Sequence, residues 1–185
     1  MSAIGGNIMK VIAEITDEVF GKKIQEFNNP YIRYGARGII RRPDGKIAIF
    51  NKVNKNEYKL PGGGIDKGEK PEEAFKREAM EETGCKIENI KLLGITKELK
   101  SYDNFQQVSY VFKADVKEIT ENFKLTEKEI DEGGKLIWLD VTEALEKITN
   151  CFYNLKESKY ENIYHSQFIN YRDKEILKYY IKNEV

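Results

Sequence analysis

Strand-like and helix-like stretches alternate along this chain without a strict strand–helix–strand rhythm. That predicts an α/β fold, with a mixed sheet and helices on both of its faces. Two further observations agree. The 185 residues favour one domain, residues 1–185, with ample material for a core. No internal repeat, low-complexity segment or Pro/Ser-rich linker divides the chain.

The elements follow in order. Residues 1–8 look weakly structured, and "KVIAEIT" (10–16) reads as a strand. "YGARGIIRR" (34–42) is a second strand, and "RPDG" (42–45) is a turn: Pro43 presets its backbone and Gly45 supplies the permissive position. "KIAIFNKV" (46–53) returns as the hairpin partner, and "YKL" (58–60) runs into Pro61 and three glycines. Residues 71–83 predict a helix, with Pro71 and acidic residues in its first turn and Gly84 as its stop. Strands follow at 86–99 and 107–116, joined by the polar turn 100–106, and another lies at 135–140 with Trp138 in the core. "LTEKEIDEGG" reads as a loop, and 142–149 as a helix. The tail, 158–183, is read as a C-terminal helix packed on the domain, with an apolar stripe including Phe168, Ile176 and Tyr180.

Composition narrows the function. Charged residues make up 34% and hydrophobic ones 40%, and 31 basic residues balance 31 acidic ones. Zero net charge removes a bulk reason to bind long nucleic acid or a membrane surface. No apolar run approaches the roughly 20 residues a membrane helix needs, and residues 1–10 lack the order of a signal peptide. Cys85 and Cys151 form no CxxC or Cys/His cluster, so free thiols in a reducing cytoplasm are expected.

Chemistry concentrates in the helix at 71–83. At about 100° per residue, Glu78, Glu81 and Glu82 share one face and repel one another. A solvated acidic face is the common reading of such a helix. A hard divalent cation, Mg²⁺ or Mn²⁺, offsets the repulsion instead, because it takes ionised carboxylate oxygens. Gly62, Gly63 and Gly64 fit that alternative, since they leave the backbone open to a phosphate or a metal. Arg77 has Glu73 and Glu81 four residues either side and Glu69 within reach, so its fork can brace loop and helix.

Spacing favours the metal. Gly63, then Glu69 after five residues, then Arg77-Glu78 after seven, Glu81-Glu82 and Gly84 reproduce the Nudix box, G-x5-E-x7-R-E-U-x-E-E-x-G-U. Ala79 and Cys85 stand where the pattern has larger apolar residues, a departure that touches packing and not chemistry. The stretches "EITDEVFG", "ARGIIRRPDGKIAI", "KLPGGG", "LTEKEIDEG", "LIWLDVTEAL" and "FINYRDKEIL" further resemble landmarks of a bacterial Nudix subfamily over residues 11–181.

The resemblance implies an α/β/α sandwich around a mixed sheet and hydrolysis of a diphosphate linkage in a nucleoside diphosphate joined to another moiety. It implies that Glu78, Glu81, Glu82 and the Gly62 carbonyl hold Mg²⁺ or Mn²⁺. Glu78, Glu82, Arg77 and Glu69 would form the catalytic set, and Gly63, Gly64 and Arg37 would meet substrate. The general base is open between the helix, Glu78 or Glu82, and the later stretch with Glu127, Glu129 and Glu132. Arg37 reads equally as a phosphate contact or an ordinary strand-edge arginine. Tyr102 and Phe105 suit base stacking or plain packing, and His165 reads as a surface residue. A small nucleotide-derived partner is expected, a homodimer stays open, and the alternatives are a catalytically silent nucleotide-binding domain and an RNA 5′-end pyrophosphohydrolase.

Overall fold

The structure, a computed structural model, describes residues 9–120 and 122–185; the expectation for residues 1–8 lies outside them. In chain order the strands and helices are β1 (Val11–Thr16), β2 (Tyr31–Arg41), β3 (Ile47–Lys52), β4 (Glu57–Lys59), β5 (Gly62–Gly64) and α1 (Pro71–Thr83). Then come β6 (Cys85–Lys100), β7 (Phe105–Ile119), α2 (Glu127–Asp131), β8 (Gly134–Leu139), α3 (Val141–Cys151) and α4 (Ile163–Glu184).

β2 and β3 are near-continuous buried runs over much of their length, the pattern of strands covered on both faces. β2 runs parallel to β7 from Tyr31↔Phe105 to Arg41↔Asp115. β7 pairs antiparallel with β6, and β1 lies parallel beyond it. On its other side β2 meets β3 at Arg41↔Ile47, closing the turn in which the Gly45 amide donates to the Arg42 carbonyl (2.9 Å). Beyond that point β2 takes β5 as its partner, while β3 takes β4 and β8.

Alternation then sorts side chains between two cores. On one face Ala74, Phe75 and Ala79 of α1 pack on Ala36, Ile40, Ala48, Phe112 and Ala114, with Phe75 stacked on Phe112 at 5.3 Å. On the other, α3 and α4 bring Ala144, Ile148, Ile176 and Leu177 onto Ile39, Ile47, Ile49 and Val111. Each large apolar side chain so buried stabilises the fold by roughly 1.5–3 kcal/mol. The mixed α/β class with helices on both faces is therefore the observed one. Trp138 is half-buried against the α1-side core, with the Arg42 guanidinium 5.0 Å above its ring.

Three expectations shift. β2 starts at Tyr31 and β7 spans Phe105–Ile119, because each lends the other backbone partners. The tail helix begins at Ile163, not 158: Asn162 caps it, accepting from the His165 amide at 2.9 Å. The supposed loop "LTEKEIDEGG" contains α2, started by a reciprocal cap between Thr126 and Glu129. Thr126 followed three residues later by Glu129 is a capping-box signature that was legible in the sequence. Both cysteines are free and buried. No helix among the described residues is long and apolar enough to cross a membrane.

Candidate active site

The glycine strand β5 and the carboxylate helix α1 form one wall of a cavity of about 610 Å³. Close approach explains the glycines. Gly62 sits at φ +143°, and a Cβ there would lie 2.3 Å from the Arg37 Cβ. A Cβ on Gly63 would lie 2.4 Å from Glu78 Oε1, so the loop packs directly on that carboxylate.

Arg77 clasps this wall together. Its Nε and Nη2 donate to the two oxygens of Glu69, each at 2.9 Å. Nη1 donates to Glu78 Oε1 (2.7 Å) and Glu81 Oε2 (3.2 Å), and Nη2 also reaches the Gly64 carbonyl at 2.8 Å. The forked pairing with Glu69 is what a guanidinium offers and an ammonium does not. That pairing raises the Arg77 pKa and lowers that of Glu69. Glu73 is a correction: it accepts from the Lys70 amide at 3.0 Å and caps the helix instead of bracing Arg77.

Glu82 is 1% exposed and held at both oxygens, by Lys59 Nζ (2.6 Å) and the Gly62 amide (2.8 Å). Burial outweighs the Lys59 charge and pushes the Glu82 carboxyl up to about 7; burial also raises Glu78. The Gly62 carbonyl accepts from Lys59 Nζ at 3.2 Å.

These pairings bear on the expected metal set. Among the described residues, no three His, Cys, Asp or Glu side chains stand gathered to hold an ion. Arg77 and Lys59 instead hold the acids as ion pairs. The donor chemistry nevertheless fits a hard divalent cation: Glu78 Oε2 and Glu81 Oε1 have no hydrogen-bond partner among the described residues, and both acids line the cavity.

The three later glutamates separate. Glu129 lines the cavity, near enough that its charge pushes the Glu82 carboxyl up. Glu132 is buried in a pair with Lys52 (2.9 Å), and Glu127 does not line the cavity. Phe105 lines the cavity and Tyr102 does not; Tyr102 packs edge-on against Tyr164. His165, expected on the surface, lines the cavity as well, stacked near Phe105 and 2.5 Å from Asp103 Oδ2.

Arg37 is not at a strand edge. It lies on β2, between β5 and β7, and is only 6% exposed. Burial, then the nearby Arg172 charge, lower its pKa to about 10, which still leaves it charged at neutral pH. Arg172, Lys100 and Glu98, none of them expected at the site from the sequence, line the cavity too. Their signal was faint: polar Asn170, Arg172 and Asp173 interrupt the apolar pattern of the tail helix, and all three are buried.

A family model described as NUDIX domain matches residues 32–159, and the chain belongs to that family. It is similar to a MutT-like protein of Streptomyces ambofaciens, 32% identical over 74 residues that cover 40% of this chain and 48% of that protein. It is also similar to an RNA pyrophosphohydrolase of Xanthomonas campestris pv. campestris, 38% identical over 58 residues, or 31% of this chain and 28% of that protein. The chain thus spans about half the length or less of these curated relatives. Among solved structures a NUDIX hydrolase from Nitrosomonas europaea aligns at TM-score 0.53 and 18% identity, covering 78% of this chain and 89% of that one; this likeness is one of fold.

Proposed function

We propose that this chain is a metal-dependent hydrolase that cleaves the diphosphate linkage of a nucleoside diphosphate joined to another moiety. One observation carries the reading: within a NUDIX domain, β5 and the acids of α1 share a cavity wall that Arg77 braces at Glu69, Glu78, Glu81 and Gly64.

Glu78, Glu81 and Glu82 would hold Mg²⁺ or Mn²⁺, with the Gly62 carbonyl beside them. Bound there, the ion would supply charge neutralisation at the phosphoryl oxygens and acidify a water. The chain's own residues position the parts. Arg77 orients Glu78 and Glu81, while Lys59 and the Gly62 amide hold Glu82. Gly63 and Gly64 would meet substrate where the Glu78 carboxylate and the Arg33 guanidinium lie against their backbone, and a carboxylate of α1 takes the proton of the attacking water. A small nucleotide-derived substrate and a cytoplasmic setting complete the proposal.

The name of the Xanthomonas relative brings a second reading, removal of diphosphate from an RNA 5′ end. Zero net charge counts against long RNA. A panel of ADP-ribose, NADH, diadenosine polyphosphates, sugar nucleotides, oxidised dNTPs and capped RNA, incubated with Mg²⁺ and then Mn²⁺ and read by chromatographic separation of the phosphorylated products, separates the two. Turnover should disappear when a metal-stripped sample is held in excess EDTA and return with added ion. Undiminished turnover in EDTA sinks the metal-dependent reading, and silence across the panel favours a binding domain.

A further inference from the structure

We infer that Arg37 and Arg172 form an oxyanion subsite in the cavity, built by β2 and α4, which takes a substrate phosphoryl group additional to the diphosphate at α1. The naming of a substrate rests on the hydrolase reading above; the subsite itself does not.

Arg172 is 2% exposed, its Nε donating to Asp173 Oδ1 (2.8 Å) and its Nη1 to Glu98 Oε2 (3.1 Å). Lys100 lies 3.3 Å from Glu98 Oε1, so two cations and two acids balance. Arg37 is left over. It is 6% exposed and makes no ion pair or side-chain hydrogen bond with any described residue, and its Nε is buried without a partner. Arg172 Nη2 is likewise buried and unpartnered. Two buried guanidinium groups, with the Arg172 charge disfavouring that of Arg37, thus line one cavity, each with an unpartnered N–H donor.

A buried cation that no acid contacts directly, with N–H donors left unmet, is unfavourable, and an oxyanion entering the cavity would meet those donors. Guanidinium forks match the oxygens of a phosphoryl group and bind it through paired, charge-assisted hydrogen bonds. The location says which group. Arg37 is in register with Gly62, on the strand beside the glycine wall, so the subsite adjoins the place where the diphosphate would sit. A phosphoryl group further along the same chain reaches it. The substrate class is then a nucleotide with a longer phosphate chain, or one whose second moiety carries its own phosphate, in preference to one joined to an uncharged group.

The test uses the whole chain without metal. Inorganic phosphate and inorganic diphosphate are titrated calorimetrically in EDTA against the wild type, Arg37→Met and Arg37→Lys. Wild type should bind both, Arg37→Met should bind about ten-fold or more weakly, and Arg37→Lys should fall between. Arg37 contacts no protein acid and acts on Glu98 and Asp173 only at a distance, so Arg37→Met should melt within about 3 °C of the wild type. Equal phosphate binding by Arg37→Met, or a clear fall in its Tm, overturns the proposal; the latter makes Arg37 a structural cation for Glu98 and Asp173. Acetate binding as tightly as phosphate overturns the phosphoryl assignment. The two readings fail separately. Phosphate binding without turnover of any diphosphate sinks the hydrolase alone, whereas turnover by Arg37→Met with unchanged KM for phosphate-rich nucleotides sinks the subsite alone.

Discussion

At the scale of single residues, the site turns on which carboxylate is free. Glu82 has both oxygens engaged, by Lys59 and the Gly62 amide, while Glu78 gives only Oε1 to Arg77. Glu129, which lines the same cavity near Glu82, commits Oε2 to its own helix cap. Glutamine at each position removes charge at nearly constant shape. Glu78→Gln and Glu82→Gln should each lower kcat by on the order of 10²-fold or more. Raising Mn²⁺ should restore a variant that lost only a ligand, and should not restore one that lost the base, since the missing event is a proton transfer. We expect the unrescued variant to be on α1. Recovery of both helix variants at high Mn²⁺, with Glu129→Gln staying slow, would move the base to α2.

At the scale of elements, a buried ionic cluster fastens the β3–β4 connection to the segments around α2 and α4. Lys55 is fully buried, its Nζ donating to Glu57 Oε2 and Ser166 Oγ (each 2.8 Å) and to Glu161. Lys52 joins Glu132 (2.9 Å) and Glu57 (3.4 Å). Removing one partner leaves the others charged in a dry setting, which is far worse than removing the whole cluster. Lys55→Met should therefore destabilise the protein by about 3–5 kcal/mol in urea unfolding, although the substitution is apolar and similar in length. A loss below about 1 kcal/mol, the range of exposed ion pairs, would show that water reaches the cluster.

At the scale of the whole molecule, such clusters make stability depend on acid. Burial alone would raise Glu98 and Glu161; the charges of Lys100, Arg172 and Arg37 around Glu98, and of Lys52 and Lys55 around Glu161, hold both down to about 2. An unfolded glutamate titrates near about 4.3. A depressed folded pKa stabilises the native state fully above the unfolded value, and that stabilisation is lost as pH falls toward the folded value. Thermal melts should thus show Tm flat with respect to these two groups from pH 7 to about 5 and falling steeply between about pH 4 and 2. In Glu98→Gln the acid-dependent fall should be shallower and the Tm at pH 7 lower. An unchanged slope would show that Glu98 does not contribute to it.

The local order of residues determined the part of the site that lies within one stretch of chain. Three glycines, a proline-started helix and glutamates at helical spacing set the glycine loop against the carboxylates, and Arg77 met Glu69 because both belong to that stretch. Helix periodicity and turn chemistry act over a few residues, so they can be read without a fold. Even there, capping decided between near-equivalent partners, sending Glu73 to the Lys70 amide. The remaining wall was decided by tertiary structure alone. Arg37, Glu98 and Arg172 are far apart in sequence, and the β6-β7-β2 strand order with α4 brings them to one cavity. Nothing local distinguishes an arginine on an apolar strand that points to water from one held unpaired inside. That difference is made by which strands flank it and which charges the rest of the fold has already neutralised.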